Sequence, residues 1–170
     1  MMQAEVLMSS YLSVTGILTQ IQPLAGNDGA AYGCTLALSV RTQNSQEVQF
    51  TMNGDTYVVD NVPFNPGDRV TVFYDADAPA QLIYPPRYQA VAAAAASYYQ
   101  YYLGEFYNSL VSTDGTLQLN GNVPLNAFLP NGQIFSGALA GKVLLVEYAA
   151  STRSIPAQVT PSRLFVFCRT

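Results

Sequence analysis

Two stretches of the chain share one pattern. Gly67-Asp68-Arg69-Val70-Thr71-Val72-Phe73-Tyr74 is echoed by Gly141-Lys142-Val143-Leu144-Leu145-Val146-Glu147-Tyr148, glycine and tyrosine standing at the same separation. Downstream, Pro86-Arg87-Tyr88-Gln89-Ala90-Val91 faces Pro161-Ser162-Arg163-Leu164-Phe165-Val166, and upstream Val48-Gln49-Phe50 resembles Leu117-Gln118-Leu119. A repeated glycine, strand, loop, proline, strand unit predicts two copies of one β module. The 170 residues then divide into modules near 10–95 and 97–170. Modules of about 80 residues are marginal alone, because small domains bury only ~60–65% of their unfolded surface.

The alternation supports strands. Cys34, Leu36, Leu38 and Val40 alternate with Thr35, Ala37, Ser39 and Arg41 as a half-buried strand, and Val48, Phe50 and Met52 continue the period of two. Within Tyr11–Leu24 the apolar parity changes from Leu12 and Val14 to Ile17 and Ile21, which predicts a β-bulge at Gly16. Asn53-Gly54-Asp55 predicts a tight hairpin into a strand at Thr56–Val59, and Ala25–Ala30 reads as a turn cluster. A strand pair is expected on either side of Pro85-Pro86. The segment from Tyr88 to Leu110 carries two signals. Five consecutive alanines, Ala92–Ala96, and apolar spacing favour helix. The repeat instead assigns residues 87–95 to a closing strand and Tyr98–Tyr107 to the first strand of the second module, with Gly104 answering Gly16.

Composition narrows the chemistry. Hydrophobic residues make up 49% and charged residues 11%, so a core is available and the polar surface must come from Ser, Thr, Asn, Gln and Tyr. The net charge is −4, with only seven Lys and Arg, which disfavours a groove tracking phosphates or an anionic membrane. There is no histidine, which removes Ser-His and Cys-His nucleophiles and makes zinc, copper and haem sites improbable. Asp75 and Asp77, with Asp60 and Asp68 nearby, are the carboxylates available for glycoside hydrolysis or calcium, although alternate carboxylates in a loop are commonly turn formers. No cofactor or metal site is expected, and the chain reads as a non-enzyme. No apolar run approaches the ~20 residues of a membrane span, and the N-terminus lacks the features of a signal peptide. Cys34 and Cys168 permit one disulfide, which would be worth roughly 5 kcal/mol in the chain-entropy model, or stand as two small buried hydrophobes. Twelve tyrosines, four of them in Tyr98-Tyr99-Gln100-Tyr101-Tyr102, suit sugar or peptide surfaces or plain packing.

Short strands, a bulged first strand and a strand-loop-strand closure resemble the OB-fold, so the expected class is mainly β, with two tandem OB-fold-like small barrels. The segment Ser151-Thr152-Arg153-Ser154-Ile155-Pro156-Ala157-Gln158-Val159-Thr160-Pro161 is similar to the "STRSIPAQTTP" segment of uncharacterised secreted β-rich proteins of clostridia and related Gram-positive bacteria. Such modules accompany a domain named after the copper amine oxidase N-terminus, but the resemblance carries no chemistry, and the absent histidines rule out that oxidase's copper site. It implies a secreted or cell-envelope location, with any export signal removed, and a binding or spacer role. An oligonucleotide-binding OB protein and a carboxylate-dependent glycan-active enzyme are the alternatives. Expected partners are a cell-wall glycan or another surface protein. In OB-type barrels ligands lie across strands two and three, between the loops joining strands one to two and four to five. That places a candidate ligand site, for a neutral or acidic polymer, at Tyr84, Arg87, Tyr88 and Arg153.

Overall fold

The computed structural model describes residues 10–25, 29–78, 85–96, 98–121 and 126–168. Three expectations fall wholly or partly outside these residues: half of the turn cluster at 25–30, the strand before Pro85, and Tyr84. The chain forms two compact units, a first of Leu12–Tyr101 and a second that begins at Tyr102 and also takes in the residues up to Tyr11.

The first unit is a closed five-stranded barrel. Its strands are β1 (Tyr11–Leu24), β2 (Thr35–Arg41), β3 (Glu47–Met52), β5 (Arg69–Asp75) and β6 (Arg87–Ala95), with a two-residue strand β4 (Tyr57–Val58) at the edge. The order β3-β2-β1-β5-β6 is closed by a parallel pairing of β3 with β6, Gln49 opposite Arg87 and Phe50 opposite Tyr88. Alternation fills the inside: Leu18, Leu38, Val40, Phe50, Val70 and Val72 are fully buried in one cluster with Met52, Phe64, Ala90 and Ala93. Side chains of the opposite parity point outward and set the character of the surface.

Three local expectations are corrected. The irregularity in β1 lies between Leu18 and Gln20, two residues beyond the predicted bulge. Gly16 has a different task, since a Cβ there would collide with the carbonyl of Arg41. The Asn53 turn forms, with Thr56 N–H donating to the Asn53 carbonyl at 3.0 Å, but it does not return the chain along β3. It delivers β4 to a parallel pairing with β6, Tyr57 opposite Ala92 and Val58 opposite Ala93. That pairing also explains the alanines. β6 has β5 along one side and β3 and β4 along the other, and Ala90, Ala92, Ala93 and Ala94 are buried. Tertiary hydrogen bonding overrides the helix preference of alanine, and small side chains allow the close approach. Cys34 and Cys168 are free and exposed, neither bridged nor buried. Cys34 precedes β2 and Cys168 follows β12 (Arg163–Phe167), so both sit just beyond the strand ends whose parity suggested burial.

The second unit contains β7 (Gln100–Glu105, whose first two residues precede the boundary), β8 (Leu117–Leu119), β9 (Ala127–Phe128), β10 (Val143–Tyr148), β11 (Ala157–Val159) and β12. Its four-stranded sheet runs β7-β10-β12-β9, and β8 pairs with β11 separately. Among the described residues it does not close into one barrel. Strands of two and three residues, interrupted by Asn120-Gly121 and Pro130-Asn131-Gly132, leave too little ladder to complete the ring. Its core gathers Phe106, Leu144, Leu164 and Val166 with Leu117, Leu119 and Val159.

The repeated glycines make the same hydrogen bonds in both units. Gly67 N–H donates to the Leu18 carbonyl at 2.7 Å, and Leu18 N–H donates to the Asp68 carbonyl at 2.8 Å. Gly141 N–H donates to the Phe106 carbonyl at 2.8 Å, and Phe106 N–H donates to the Lys142 carbonyl at 3.1 Å. Both glycines have positive φ, 98° and 75°, which only glycine adopts without strain. Leu18 and Phe106, each two residues after Gly16 or Gly104, are fully buried.

Candidate binding face

The barrel register builds a surface that no single stretch of sequence displays. Gln20 of β1 is opposite Ser39 of β2, Ser39 is opposite Gln49 of β3, and Gln49 is opposite Arg87 of β6. One step along, Gln22, Ala37, Thr51 and Gln89 line up in the same way. Two rows of four outward residues therefore cross four neighbouring strands. At ordinary strand spacing they span roughly 14 Å.

The rows have relief as well as chemistry. Ala37 and Ser39 are small and buried, at 9% and 6% exposure, so the centre is low. Gln20 and Gln22 stand on one side and Gln49, Thr51, Arg87 and Gln89 on the other. The side chains are held in pairs. Gln20 Nε2 donates to Gln22 Oε1 at 2.7 Å, Thr51 Oγ1 donates to Gln89 Oε1 at 2.7 Å, and an Arg87 terminal nitrogen donates to Gln49 Oε1 at 3.0 Å. Arg87 Nε is buried and makes no hydrogen bond with the described residues. An amide group offers two donors and an acceptor within one small plane, a pattern that matches adjacent hydroxyls. With Arg87 as the only charge in the two rows, the face is a shallow, nearly neutral hydrogen-bonding trough.

The expected ligand residues fall in different parts of the fold. Arg87 belongs to the trough, whereas Tyr88, the next residue, turns inward. Its ring stacks on Tyr74 with centroids 4.1 Å apart and packs against Phe50 at 6.3 Å. Burial, then the neighbouring Tyr88 hydroxyl, pushes the Tyr74 pKa up. Tyr88 is thus half-buried, packed against the core of the first unit. Arg153 is exposed and belongs to the other unit, and Tyr84 lies outside the described residues. Sequence reasoning missed Gln20, Gln22, Ser39, Gln49, Thr51 and Gln89. Glutamine at alternate outward positions of β1 was the signal available, but only the register brings the strands together.

The acidic residues weighed for catalysis serve turns. Asp75 Oδ1 accepts from Asp77 N–H at 2.9 Å, and Asp68 Oδ2 accepts from Asn65 N–H at 2.8 Å. Asp60 sits in a short 3-10 turn at φ 62°. A dense polar cluster lies in the second unit, where Asp114 accepts from Tyr102 Oη at 2.8 Å, Ser112 Oγ at 2.6 Å and Thr116 Oγ1 at 2.7 Å. Burial works to raise the Asp114 pKa, but these hydrogen bonds together hold it below the ordinary value. Burial pushes Tyr102 up to about 12. Every oxygen of Asp114 is engaged, so the cluster fastens a turn. Among the described residues no group of three His, Cys, Asp or Glu side chains is placed to hold a metal, and no helix is long and apolar enough to cross a membrane. No protein-family model, curated protein or solved structure matches the chain.

Proposed function

We propose that the protein is a non-enzymatic binding module of the secreted or cell-envelope kind, and that its first unit holds a neutral, hydroxyl-rich polymer such as a cell-wall glycan. The observation that carries this reading is the pair of in-register rows, Gln20-Ser39-Gln49-Arg87 and Gln22-Ala37-Thr51-Gln89. The ring β1-β2-β3-β6-β5, with its parallel β3–β6 seam, supports an OB-like barrel, and OB barrels bind across their second and third strands. The trough follows β2 and β3 in the same way. The second unit repeats the parallel seam as β9–β12, Leu164 opposite Ala127, which supports its being an incomplete copy of the same module.

The polymer class follows from charge and groups. A phosphate-tracking groove needs several Lys or Arg, whereas this face offers Arg87 with amides around it, so oligonucleotides are the weaker fit. Paired amides suit the donor and acceptor pattern of neutral sugars.

Gln49→Ala with Gln89→Ala tests the proposal, because both side chains are on the surface and their loss leaves the core intact. Adsorption to isolated neutral cell-wall polysaccharide should fall about tenfold or more, since several hydrogen bonds of ~0.5–1.5 kcal/mol each are removed, while the melting temperature stays close to that of the parent. Unchanged adsorption would end the reading. Tight, salt-sensitive binding of single-stranded DNA would replace it with the oligonucleotide one.

A further inference from the structure

A cleft of about 410 Å³ lies elsewhere on the first unit, lined by Ser13 and Thr15 of β1, Arg69 and Thr71 of β5, Ala96, and the run Tyr98 to Tyr101. This is the half of β1 that the trough does not use. All nine lining residues fall within Leu12–Tyr101. The size is that of a pocket taking a small ligand, for which 300–1,000 Å³ is usual.

Its floor is a hydroxyl pair. Thr15 Oγ1 and Thr71 Oγ1 are 2.8 Å apart, so one hydroxyl hydrogen joins them and the other remains to be given outward. Thr71 is itself 6% exposed, which fixes the pair in place. The Arg69 backbone is tied down, its carbonyl accepting from Ala96 N–H at 2.9 Å. The Arg69 guanidinium makes no hydrogen bond or ion pair with the described residues, and no carboxylate lines the cleft. The adjacent Asp68 is occupied with the Asn65 N–H. The wall is aromatic: Tyr98 and Tyr99 meet edge to face with centroids 4.8 Å apart, and Tyr98 is 73% exposed. Gln100 adds an amide.

We infer that this cleft is a second binding site, selective for an acidic sugar, a pyranose ring bearing a carboxylate. An unpaired planar guanidinium matches a carboxylate with two parallel hydrogen bonds. The Ser13, Thr15 and Thr71 hydroxyls and the Gln100 amide match ring hydroxyls, and the open Tyr98 face offers a stacking platform for the apolar side of the ring. The inference does not depend on the glutamine trough, which has a different neighbour set and needs no acid on its ligand.

Titration of the intact chain with tri-galacturonate, against the neutral galactose trimer and sodium sulfate, tests it. The acidic trimer should bind, the neutral trimer about tenfold or more weaker, and Arg69→Gln should remove that difference without lowering the melting temperature. Ser13→Ala with Gln100→Ala should weaken the acidic trimer while leaving sulfate unaffected. The trough variant Gln49→Ala with Gln89→Ala should bind the acidic trimer as the parent does. Equal binding of both trimers, no binding of the acidic one, or indifference to Arg69→Gln would overturn the assignment. Displacement of the trimer by sulfate as effectively as by galacturonate would also overturn it, reducing the site to a general anion patch.

Discussion

Glu147 is 2% exposed, a carboxylate that would be costly without partners. Arg163 supplies them, Nε donating to Oε1 at 2.9 Å and a terminal nitrogen donating to Oε2 at 2.7 Å, with Ser162 Oγ adding a third bond at 2.8 Å. Removing one member of such a pair strands the other, so Arg163→Ala should destabilise the second unit by about 3 kcal/mol in denaturant unfolding. The Tyr102–Asp114 pair sets two pH limits. Asp114 is depressed in the folded chain, so its contribution is present above the unfolded carboxylate value and is lost as pH falls through the folded one. Tyr102 is raised to about 12, so its contribution is complete below the unfolded value near 10 and is lost as pH climbs from there toward about 12. Melting curves at pH 9–12 should show that alkaline decline in the parent, and Tyr102→Phe should make it shallower, the raised Tyr74 and Tyr148 keeping the rest.

At the scale of the element, the strands that alternate cleanly were readable in advance. β2, β3 and β5 each carry an apolar face, and β12 is dense in aromatic and β-branched residues. β6 was readable only through the repeat, because its alanines argue for helix until a neighbour on each side is known. β4 was readable only from the Asn53 turn and β8 only from the repeat, and β9 is too short for any periodicity to register. The binding face needed more than the elements. Gln20, Ser39, Gln49 and Arg87 come from four strands, and the irregularity between Leu18 and Gln20 decides which glutamines share a row. A reader of the sequence knows that Gln49 points outward but not what stands beside it. For Gly16 the structure makes a sharp claim. A Cβ there meets backbone, the Arg41 carbonyl, which cannot swing aside as a side chain could. Gly16→Ala should cost about 1–3 kcal/mol, the range for overpacking, while Gly54→Ala, with nothing within 4 Å, should be close to neutral. Parallel melts of the two variants make the comparison.

For the whole molecule, closure joins distant segments. Gln49 must find Arg87, and Leu18 must find Gly67, before the first core is sealed. Pairings so far apart in sequence place refolding in roughly the millisecond-to-second range of all-β domains. Stopped-flow fluorescence of the twelve tyrosines would measure it, and microsecond folding would contradict a barrel closed in this order. The exposed thiols bear on something beyond folding. Cys34 lies in one unit and Cys168 in the other, and neither is engaged. In the language of polymer chemistry the chain is a bifunctional monomer, carrying one reactive end-group on each half. An oxidant should link such monomers by step growth into a ladder on a non-reducing gel. Cys34→Ser would turn the same molecule into a chain stopper, and growth should halt at the dimer.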